Sequence, residues 1–345
     1  MSHLLRWAAC ASTRARALML CLAVMLGAAA AGTASAPSDG FEAWLADFEA
    51  EALERGISSQ TVEAALGGVE RIPRVIELDR RQPKSPRDFC GYLDRRLTET
   101  RIARGRRVLK EHRALLEEIV VEYGVPSRYL VALWGLETNF GDYLGDFPVI
   151  GSLVTLAHDS RRGDVFREQV LAALRIVEEG HHDPQGMRGS WAGAIGQVQL
   201  MPTTFLEYAV DYDGDGRKDV WTSLSDALAT AANYLRQSGW RSGETWGRQV
   251  QLPAALHRDV ALLRRPRPLA GWQQSGVRRV DGGELPVADI RGSIVLPVRK
   301  PDPAFLVYRN YRTFLAWNNS TFFAISVGAL ADEIAGAGAL RVCGS

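Results

Sequence analysis

The sequence of 345 residues lacks an excess of charge of either sign and contains few cysteines. Its 41 lysine and arginine residues are balanced by 40 aspartate and glutamate residues, so the formal net charge is +1. A balance of this kind gives no electrostatic basis for binding the phosphate backbone of nucleic acids, and we expect no nucleic-acid partner. Four cysteines in so long a chain exclude a small fold stapled by disulfides.

The sequence also lacks an apolar run long enough to cross a membrane. The longest run covers residues 17–31 and falls short of the ~20 residues that a transmembrane helix needs. It follows three arginines and precedes the small-residue sequence Ala-Ser-Ala at residues 34–36. This order predicts a secretory signal peptide over residues 1–36 and a soluble, exported mature protein without a transmembrane segment.

Two cysteines, Cys90 and Cys343, remain after the signal peptide is removed. An oxidising compartment outside the cytoplasm would permit them to form a disulfide. The alternative is a pair of buried free thiols, and the sequence does not decide between the two.

Hydrophobic periodicity predicts a mainly α-helical protein of the α+β class. Apolar residues recur at intervals of three and four from Phe41 to about Val75, and a long helical pattern extends from Tyr92 to Tyr123. Further helices are predicted over residues 129–140, 164–179, 203–208, 224–237 and 321–334. Between Trp246 and Tyr308, frequent prolines and glycines and short apolar runs indicate a small β-containing insertion.

Glu137 is the least expected residue of the sequence, because it lies at the end of the most apolar predicted helix. A carboxyl group in such a place must be paired, or burial must raise its pKa and keep it protonated. Gly135 and Gly141 leave the backbone around it open to a ligand. A carboxyl group protonated near neutral pH is what general-acid attack on a glycosidic oxygen requires. The alternative is a structural glutamate bonded to the end of a neighbouring helix.

Two further segments have the composition of a sugar-binding groove. Residues 189–202 combine glycines and alanines with the neutral hydrogen-bonding side chains of Ser190 and Gln199. Residues 317–323 combine aromatic rings with amides, and they include Trp317, Asn318 and Phe323. Close packing of small residues, and of aromatic residues in the core, is the structural alternative for both segments.

Residues 211–217 match the start of a Ca²⁺-binding loop. Aspartates stand at positions 1, 3 and 5, glycine at position 6, and position 7 offers a backbone carbonyl. At position 12, where a bidentate glutamate is usual, the chain has Thr222, and Asp226 at the head of the next helix is the candidate replacement. The predicted ligands of this structural Ca²⁺ are Asp211, Asp213, Asp215, Arg217 and Asp226. The alternative is a turn rich in aspartate that holds no ion.

Five segments in their order and approximate spacing resemble the lytic murein transglycosylases of the B type, including the soluble forms. They read GLETNFG, GSWAGAIGQVQLMP, AVDYDGDGRKDVW, DALATAANYLRQSGW and WNNSTFFA. The resemblance covers nearly the whole mature chain and implies a lysozyme-like core with an appended helical domain and a small β domain. The corresponding expected boundaries are 37–95 for the helical domain, 96–245 for the core, 246–308 for the insertion and 309–345 for a segment completing the core and helical domain.

The resemblance also implies roles for individual residues. Glu137 would be the single catalytic acid and base, and Tyr92, Ser190, Gln199 and Asn318 would lie in the glycan-binding groove. The family's calcium-type loop, completed by an acid at the start of a later helix, supports Asp226 as a ligand. Two tyrosines of the family's groove are replaced here by Trp317 and Phe323, so the hydrogen bonds that those hydroxyl groups make are expected to be absent.

The activity implied is cleavage of the β-1,4 bond between N-acetylmuramic acid and N-acetylglucosamine in periplasmic peptidoglycan, with formation of a 1,6-anhydromuramic acid end and no catalytic cofactor. Two other functions stay open. One is a muramidase that hydrolyses the bond with Asp142 or Asp146 as second carboxylate, and the other is a peptidoglycan-binding protein without activity. Cell-wall synthesis or division proteins are conceivable partners that the sequence does not identify.

Overall fold

The computed structural model describes residues 40–82, 88–159, 162–258, 264–298 and 303–337. The predicted signal peptide and Cys343 lie outside these residues. Cys90 is disulfide-bonded, and the other three cysteines of the chain are all outside the described residues. In the described part of the chain, no helix has the length and apolar character that crossing a membrane would require.

Helices make up most of the described residues, which confirms the predicted mainly α-helical class. They are α1 (Phe41–Glu54), α2 (Ser59–Leu66), α3 (Pro73–Arg80), α4 (Phe89–Arg96), α5 (Glu99–Glu111), α6 (Arg113–Tyr123), α7 (Ser127–Thr138), α8 (Val149–His158), α9 (Gly163–Glu178), α10 (Pro202–Tyr208), α11 (Leu224–Gln237), α12 (Leu269–Gln274), α13 (Arg309–Trp317) and α14 (Thr321–Ala335), with a 3₁₀ turn at Ala254–Arg258. Ser58 caps α2 as its sequence predicts, because its hydroxyl accepts a hydrogen bond from the backbone N–H of Thr61 at 3.2 Å.

The long helical pattern from Tyr92 to Tyr123 is three helices rather than one. Helix α4 ends at Arg96, and the hydroxyl of Thr98 accepts a hydrogen bond from the N–H of Arg101, which starts α5 anew. His112 separates α5 from α6. The apolar spacing continues across these breaks, so periodicity alone does not reveal them, whereas the threonine cap is a local signal of a helix start.

Two antiparallel sheets accompany the helices. A two-stranded ribbon pairs β1 (Phe147–Pro148) with β2 (Arg188–Gly189). A five-stranded sheet has the order β4-β6-β7-β3-β5, with every neighbouring pair antiparallel. Its strands are β3 (Gly247–Gln251), β4 (Arg267–Pro268), β5 (Arg278–Arg279), β6 (Arg291–Val295) and β7 (Ala304–Val307). The sheet therefore lies within the segment whose composition predicts strands, while the domain boundaries given above stay a prediction.

The described residues form two hydrophobic cores. The larger core includes α7 and α14, which are buried on nearly every face and pack against each other. Gly328 of α14 lies so close to the ring of Trp246 that an added Cβ would sit 2.2 Å from it. The smaller core lies on the five-stranded sheet around Trp272. The packing of α7 in the larger core fixes the position of its last residues, including Glu137.

Candidate active site

Glu137 lies in the last turn of α7, at a point where the backbone turns sharply. The two residues that follow the helix, Asn139 and Phe140, have φ angles of 54° and 62°, the left-handed region that non-glycine residues rarely adopt. The hydroxyl of Thr138 donates a hydrogen bond of 2.7 Å to the carbonyl oxygen of Gln197. Helix α7 is thus joined at its end to the loop of residues 189–202, and the two segments singled out in the sequence meet.

The side chain of Glu137 accepts a hydrogen bond from Trp317, which is the last residue of α13. The distance between the indole Nε1 and the carboxylate Oε1 is 2.8 Å. The ring of Tyr234 packs edge-on against the Trp317 ring, with 4.9 Å between the centroids. The replacement of a groove tyrosine by Trp317 predicts that the hydrogen bonds of the missing hydroxyl group are absent, but the indole N–H provides a donor to the carboxyl group of Glu137.

Burial raises the pKa of Glu137 to about 7. The hydrogen bond from Trp317 and the positive charge of Arg96 oppose this rise, because both favour the ionised form. The Arg96 guanidinium itself donates to the backbone carbonyl of Leu136 at 3.0 Å rather than to the carboxyl group. A carboxyl group with this pKa is about half protonated at neutral pH, so it is able to give a proton and to take one back.

The two other acids near Glu137 in sequence have different surroundings. Asp142 is exposed and forms an ion pair with Arg104, whose Nη2 lies 2.7 Å from Oδ1. The hydrogen bond from Arg104 lowers the pKa of Asp142, and the amide of Asn139 donates to its other oxygen at 2.8 Å. Asp146 is exposed. Asp142 is thus held ionised by its partners, and of these three neighbouring acids Glu137 is the one whose pKa is raised by burial.

The loop of residues 189–202 presents polar groups whose hydrogen bonds are partly used within the loop. The hydroxyl of Ser190 accepts a bond of 2.9 Å from the N–H of Ala194. Gln199 has a φ angle of 51°, and its side-chain nitrogen donates to the carbonyls of Leu144 and Gly196 at 3.0 Å each. Both amide hydrogens of Gln199 are thereby engaged, which leaves its amide oxygen to accept a hydrogen bond from a ligand.

The remaining predicted groove residues have unequal exposure. Tyr92 is half-buried, its ring lies 5.5 Å from that of Phe322, and the Arg96 guanidinium lies 5.4 Å from its centroid. Asn318 is exposed. Phe323 is only 4% exposed and packs in the larger core. Its burial leaves the Phe323 ring little surface for contact with a sugar.

Three contacts at the site were not expected from the sequence. The indole–carboxylate bond joins residues 137 and 317, Tyr234 on α11 packs edge-on against Trp317, and Arg104 on α5 pairs with Asp142. None of these residues is close to its partner along the chain, so no local spacing signals them. The signal available for Trp317 was its placement in an aromatic segment with amides.

The calcium-type loop brings three acids together. Carboxylate oxygens of Asp211, Asp213 and Asp226 all lie within 4.8 Å of one another. Asp226 is fully buried and accepts hydrogen bonds from the backbone N–H groups of Tyr212 at 2.9 Å and Asp219 at 2.8 Å. Acidic oxygens so close together, one of them buried, fit the oxygen-donor set that Ca²⁺ prefers.

Two of the predicted ligands are placed differently from these three. Asp215 is not in the group of three, and its side chain accepts a hydrogen bond from the backbone N–H of Arg217 at 2.8 Å. The Arg217 guanidinium donates to the carbonyl of His181 at 3.1 Å. The roles of Asp215 and of the Arg217 carbonyl as ligands stay predictions.

The chain is similar over most of its length to a family of known proteins. The family model described as the transglycosylase SLT domain matches residues 40–332. The chain is similar to SltB3 from Pseudomonas aeruginosa, solved in complex with NAG-anhNAM-pentapeptide, at 43% identity and a TM-score of 0.84, covering 89% of this chain and 82% of that one. It is 26% identical over 304 residues to membrane-bound lytic murein transglycosylase B from Escherichia coli K12, covering 82% of this chain and 80% of that protein.

A third relative, which was solved with calcium, is similar to this chain in its fold. The E. coli lytic transglycosylase Slt35, solved in complex with calcium, has a TM-score of 0.73 and 23% identity, covering 85% of this chain and 93% of that one. At that identity the likeness establishes the fold. The family match, which extends over most of the chain, establishes more: this chain belongs to the transglycosylase SLT domain family of lytic transglycosylases.

Proposed function

We propose that this protein cleaves the β-1,4 bond between N-acetylmuramic acid and N-acetylglucosamine in peptidoglycan, with Glu137 as its single acid and base. The observation that carries the proposal is the setting of Glu137. Its pKa is raised to about 7 by burial, and the groups that modulate this pKa are Trp317 and Arg96, with no second carboxylate among them. The complex of SltB3 with an anhydro-muramyl pentapeptide, at 43% identity, supports the same reaction.

The first step is proton transfer to the leaving oxygen. Protonated Glu137 donates its proton to the glycosidic oxygen while the bond from that oxygen to C1 of N-acetylmuramic acid breaks. The carbonyl oxygen of the muramyl N-acetyl group forms a bond to C1 and gives an oxazolinium-like species. N-acetylglucosamine leaves with a free 4-hydroxyl group, and Glu137 is now a carboxylate.

The second step closes a ring within the same sugar. The Glu137 carboxylate removes the proton of the muramyl 6-hydroxyl as its oxygen attacks C1 and the acetamido oxygen departs. The product is a 1,6-anhydromuramic acid end, and the enzyme recovers its proton. No water is consumed, so the reaction is that of a lyase, and one carboxyl group is sufficient because the substrate supplies the nucleophile.

The two-carboxylate alternative has less support in the geometry. A hydrolase of this type needs a second carboxylate as nucleophile or as the base that activates water. Asp142 is engaged by Arg104 and Asn139, which compete with either role. Asp146 is exposed, so it lacks the burial that sets Glu137 apart.

We assign the neutral polar residues around Glu137 to substrate positioning. Ser190 and Asn318 would orient and polarise the N-acetyl group, and the free amide oxygen of Gln199 would accept a hydrogen bond from the glycan. The half-buried ring of Tyr92 would contact a sugar face. Phe323, at 4% exposure, would act by supporting these residues.

We further propose that the calcium-type loop holds a structural Ca²⁺. Asp211, Asp213 and Asp226 would supply carboxylate oxygens, with the Arg217 carbonyl and Asp215 as the remaining candidates. The ion would offset the mutual repulsion of three nearby carboxylates. It would stabilise the segment that leads into α11, and no step of the cleavage involves it.

Mass spectrometry of the reaction products tests the proposed chemistry. Digestion of purified sacculi should release muropeptides that end in anhydromuramic acid, which are lighter than hydrolytic products by one water. Release of reducing muropeptides alone would refute the lyase mechanism and favour a hydrolase. Binding of sacculi by the folded protein without any release would favour the peptidoglycan-binding protein without activity.

The proposal also includes export to the periplasm, where peptidoglycan lies. It is supported by the order of basic, apolar and small residues over residues 1–36. N-terminal sequencing of the protein from cells should give a chain that starts at residue 37. A chain that retains residues 1–36 would contradict cleavage at this place.

A further inference from the structure

We propose that Trp317 is a positioning residue that determines which oxygen of Glu137 carries the catalytic proton. The indole N–H holds Oε1 as a permanent hydrogen-bond acceptor, so that the proton resides on Oε2 and is delivered from there. This inference rests on the proposed function, since it assigns a role to Trp317 within that reaction.

The indole of Trp317 and the carboxyl group of Glu137 differ in hydrogen-bonding capacity. The Nε1–H of tryptophan is a donor only, whereas a carboxyl group accepts at both oxygens and donates from one of them when protonated. At 2.8 Å from Nε1, Oε1 must present a lone pair to the indole in both protonation states. The carbonyl oxygen of a carboxylic acid is a stronger acceptor than its hydroxyl oxygen, so the bond favours the protonated form in which Oε1 is the carbonyl oxygen and Oε2 is the hydroxyl oxygen.

The other carboxyl oxygen of Glu137, Oε2, has different surroundings from Oε1. Within the described part of the chain, the bond from Trp317 is the one hydrogen bond made by the Glu137 side chain, and it goes to Oε1. Oε2 thus keeps its donor capacity for a ligand. A half-buried acid with one oxygen engaged and the other available presents its proton in a single direction, which is the requirement for in-line transfer to a glycosidic oxygen.

The indole ring of Trp317 is held in place by the helices and aromatic rings around it. Trp317 ends α13, which packs on α14 and α11. Its ring meets Tyr234 edge-on at 4.9 Å and 78°, and Tyr234 in turn meets Tyr208 at 4.6 Å and 61°. Two successive aromatic contacts fix the ring plane, and the direction of the N–H bond lies in that plane.

A tyrosine in place of Trp317, as the resemblance to the family leads us to expect, would not give the same restriction. A phenol hydroxyl both donates and accepts. It would donate to Oε1 of the carboxylate, but it would equally accept a proton carried by Oε1 of the acid. The proton would then have two positions, and only one of them would face the substrate. Tryptophan disfavours the unproductive position, because its N–H cannot accept a proton carried by Oε1.

The same bond influences the second half of the cycle. A hydrogen bond to a charged acceptor is stronger than one to a neutral acceptor, so the indole favours the carboxylate and opposes the effect of burial on the pKa. Without Trp317, the pKa of Glu137 would rise further. Protonation would remain easy, but the carboxylate would be less available to take the proton of the 6-hydroxyl.

The test compares three variants over a range of pH. Trp317→Phe removes the donor and keeps an aromatic ring, and Trp317→Tyr restores a donor that also accepts. The matched control is Trp246→Phe, because the fully buried Trp246 donates from Nε1 to Oδ2 of Asp332 at 2.9 Å. The control therefore loses the same kind of indole–carboxylate bond at a different carboxyl group.

The readouts are kcat/KM against pH on glycan strands of defined length, kcat and KM separately, and the thermal melting temperature. In Trp317→Phe we expect the alkaline limb of the profile to move upward by about one pH unit and kcat to fall about tenfold with little change in KM. Trp317→Tyr should shift the limb by less than Trp317→Phe. Trp246→Phe should melt at a lower temperature and keep the alkaline limb of the unmodified protein.

The outcomes separate this inference from the function on which it rests. If folded Trp317→Phe keeps the alkaline limb of the unmodified protein, Trp317 does not act through Glu137 and the inference is wrong. A fall in melting temperature and in rate at every pH, with an unmoved limb, would likewise reduce Trp317 to a structural role. If instead Glu137→Gln retained full activity, the proposed function would fail, whatever the Trp317 variants do.

Discussion

Two half-buried carboxyl groups in this protein each accept a hydrogen bond from an indole N–H, and they differ in what else surrounds them. Glu137 is bound by Trp317 at 2.8 Å, and Asp332 is bound by Trp246 at 2.9 Å. Burial raises the pKa of both. The comparison isolates the features that separate a candidate catalytic acid from a carboxyl group that contributes only to packing.

The difference lies in the nearby positive charge and in the exposure of the indole. Near Asp332, both Arg128 and Arg248 lower the pKa of the carboxyl group and so offset part of the effect of burial. Trp246 is fully buried, so a ligand has no access to it. Glu137 has only the charge of Arg96 to oppose burial, and its tryptophan is half-buried in the wall of the site. The same donor and acceptor are therefore combined with a fully buried indole and two arginines at Asp332, and with a half-buried indole and one arginine at Glu137.

The largest expected difference between the two carboxyl groups is catalytic. Glu137→Gln keeps the size of the side chain and its acceptor for Trp317 but removes the proton, so clearing of sacculi should slow by about 10³-fold or more. Asp332→Asn should keep activity within a few-fold. The measurement is the fall in turbidity of sacculi, with circular dichroism to verify folding. Comparable losses in the two folded variants would remove the distinction between the sites.

The second expected difference is in stability. Glu137→Gln should lower the activity but raise the stability at alkaline pH. The unfolded chain releases the Glu137 proton near pH 4.5, whereas the folded protein keeps it up to about pH 7. Stability contributed by this group therefore falls as pH rises between these values, by up to about 3 kcal/mol. Glu137→Gln has no such loss, so it should be more stable than the unmodified protein at pH 8 and equally stable near pH 4.

Denaturant unfolding at pH 4 and pH 8 measures this effect. The same experiment on Asp332→Asn sharpens the comparison, because Arg128 and Arg248 already favour the ionised form of Asp332. The stability that Asp332→Asn gains over the unmodified protein between pH 4 and pH 8 should be smaller than the gain of Glu137→Gln. A stability of Glu137→Gln that tracks the unmodified protein at both pH values would mean that the Glu137 pKa is not raised by folding.

The third expected difference is in the pH dependence of the rate. The free enzyme must hold the Glu137 proton to begin the reaction, so kcat/KM should fall above pH 7 by about tenfold for each pH unit. The limb should have the same midpoint in Asp332→Asn, since Asp332 takes no part in the reaction. The profile should be recorded between pH 5 and 9 on one glycan substrate. If the midpoint of the alkaline limb moved in Asp332→Asn, the titration seen in the rate profile would belong to Asp332 and not to Glu137.

The sequence was sufficient for those features that depend on neighbours along the chain. The cap at Ser58 and the bounds of α11, Leu224–Gln237, followed from local spacing. Glu137 stood out because a single acid interrupts an otherwise apolar helix, which is itself a local contrast. The fold class followed from the same periodicity and from the family resemblance.

The features that could not be predicted from the sequence depend on contacts between residues that are far apart along the chain. The bond between Trp317 and Glu137 spans 180 positions, and the pairing of Arg104 with Asp142 spans 38. The aromatic segment and the family resemblance, in which Phe323 replaces a groove tyrosine, predict that Phe323 lies in the groove, yet the packing of α14 buries it. Residue type predicts that an aromatic side chain is near a site, and only the fold decides which side of the groove wall it occupies.

A third buried carboxyl group, Asp226, extends the comparison and gives the smallest expected effect. It is fully buried, but it has neither an indole nor an arginine as hydrogen-bond partner in the described residues. Its partners are backbone N–H groups, and the carboxylates of Asp211 and Asp213 lie within 4.8 Å. A cation would supply the positive charge that Arg128 and Arg248 supply near Asp332. We therefore expect Ca²⁺ at about ten times its dissociation constant to stabilise the fold by about 1.4 kcal/mol.

A stabilisation of this size raises the melting temperature by a few degrees in a domain of this length, so Ca²⁺ and a chelator should give separable melting curves. Asp213→Ala should abolish the separation, because it removes one of the three clustered carboxylates. Asp47→Ala, an exposed acid on α1, is the matched control and should preserve it. Coincident curves for the unmodified protein in Ca²⁺ and in chelator would mean that backbone N–H groups alone stabilise Asp226, and the three acids would then be a hydrogen-bonded turn without an ion.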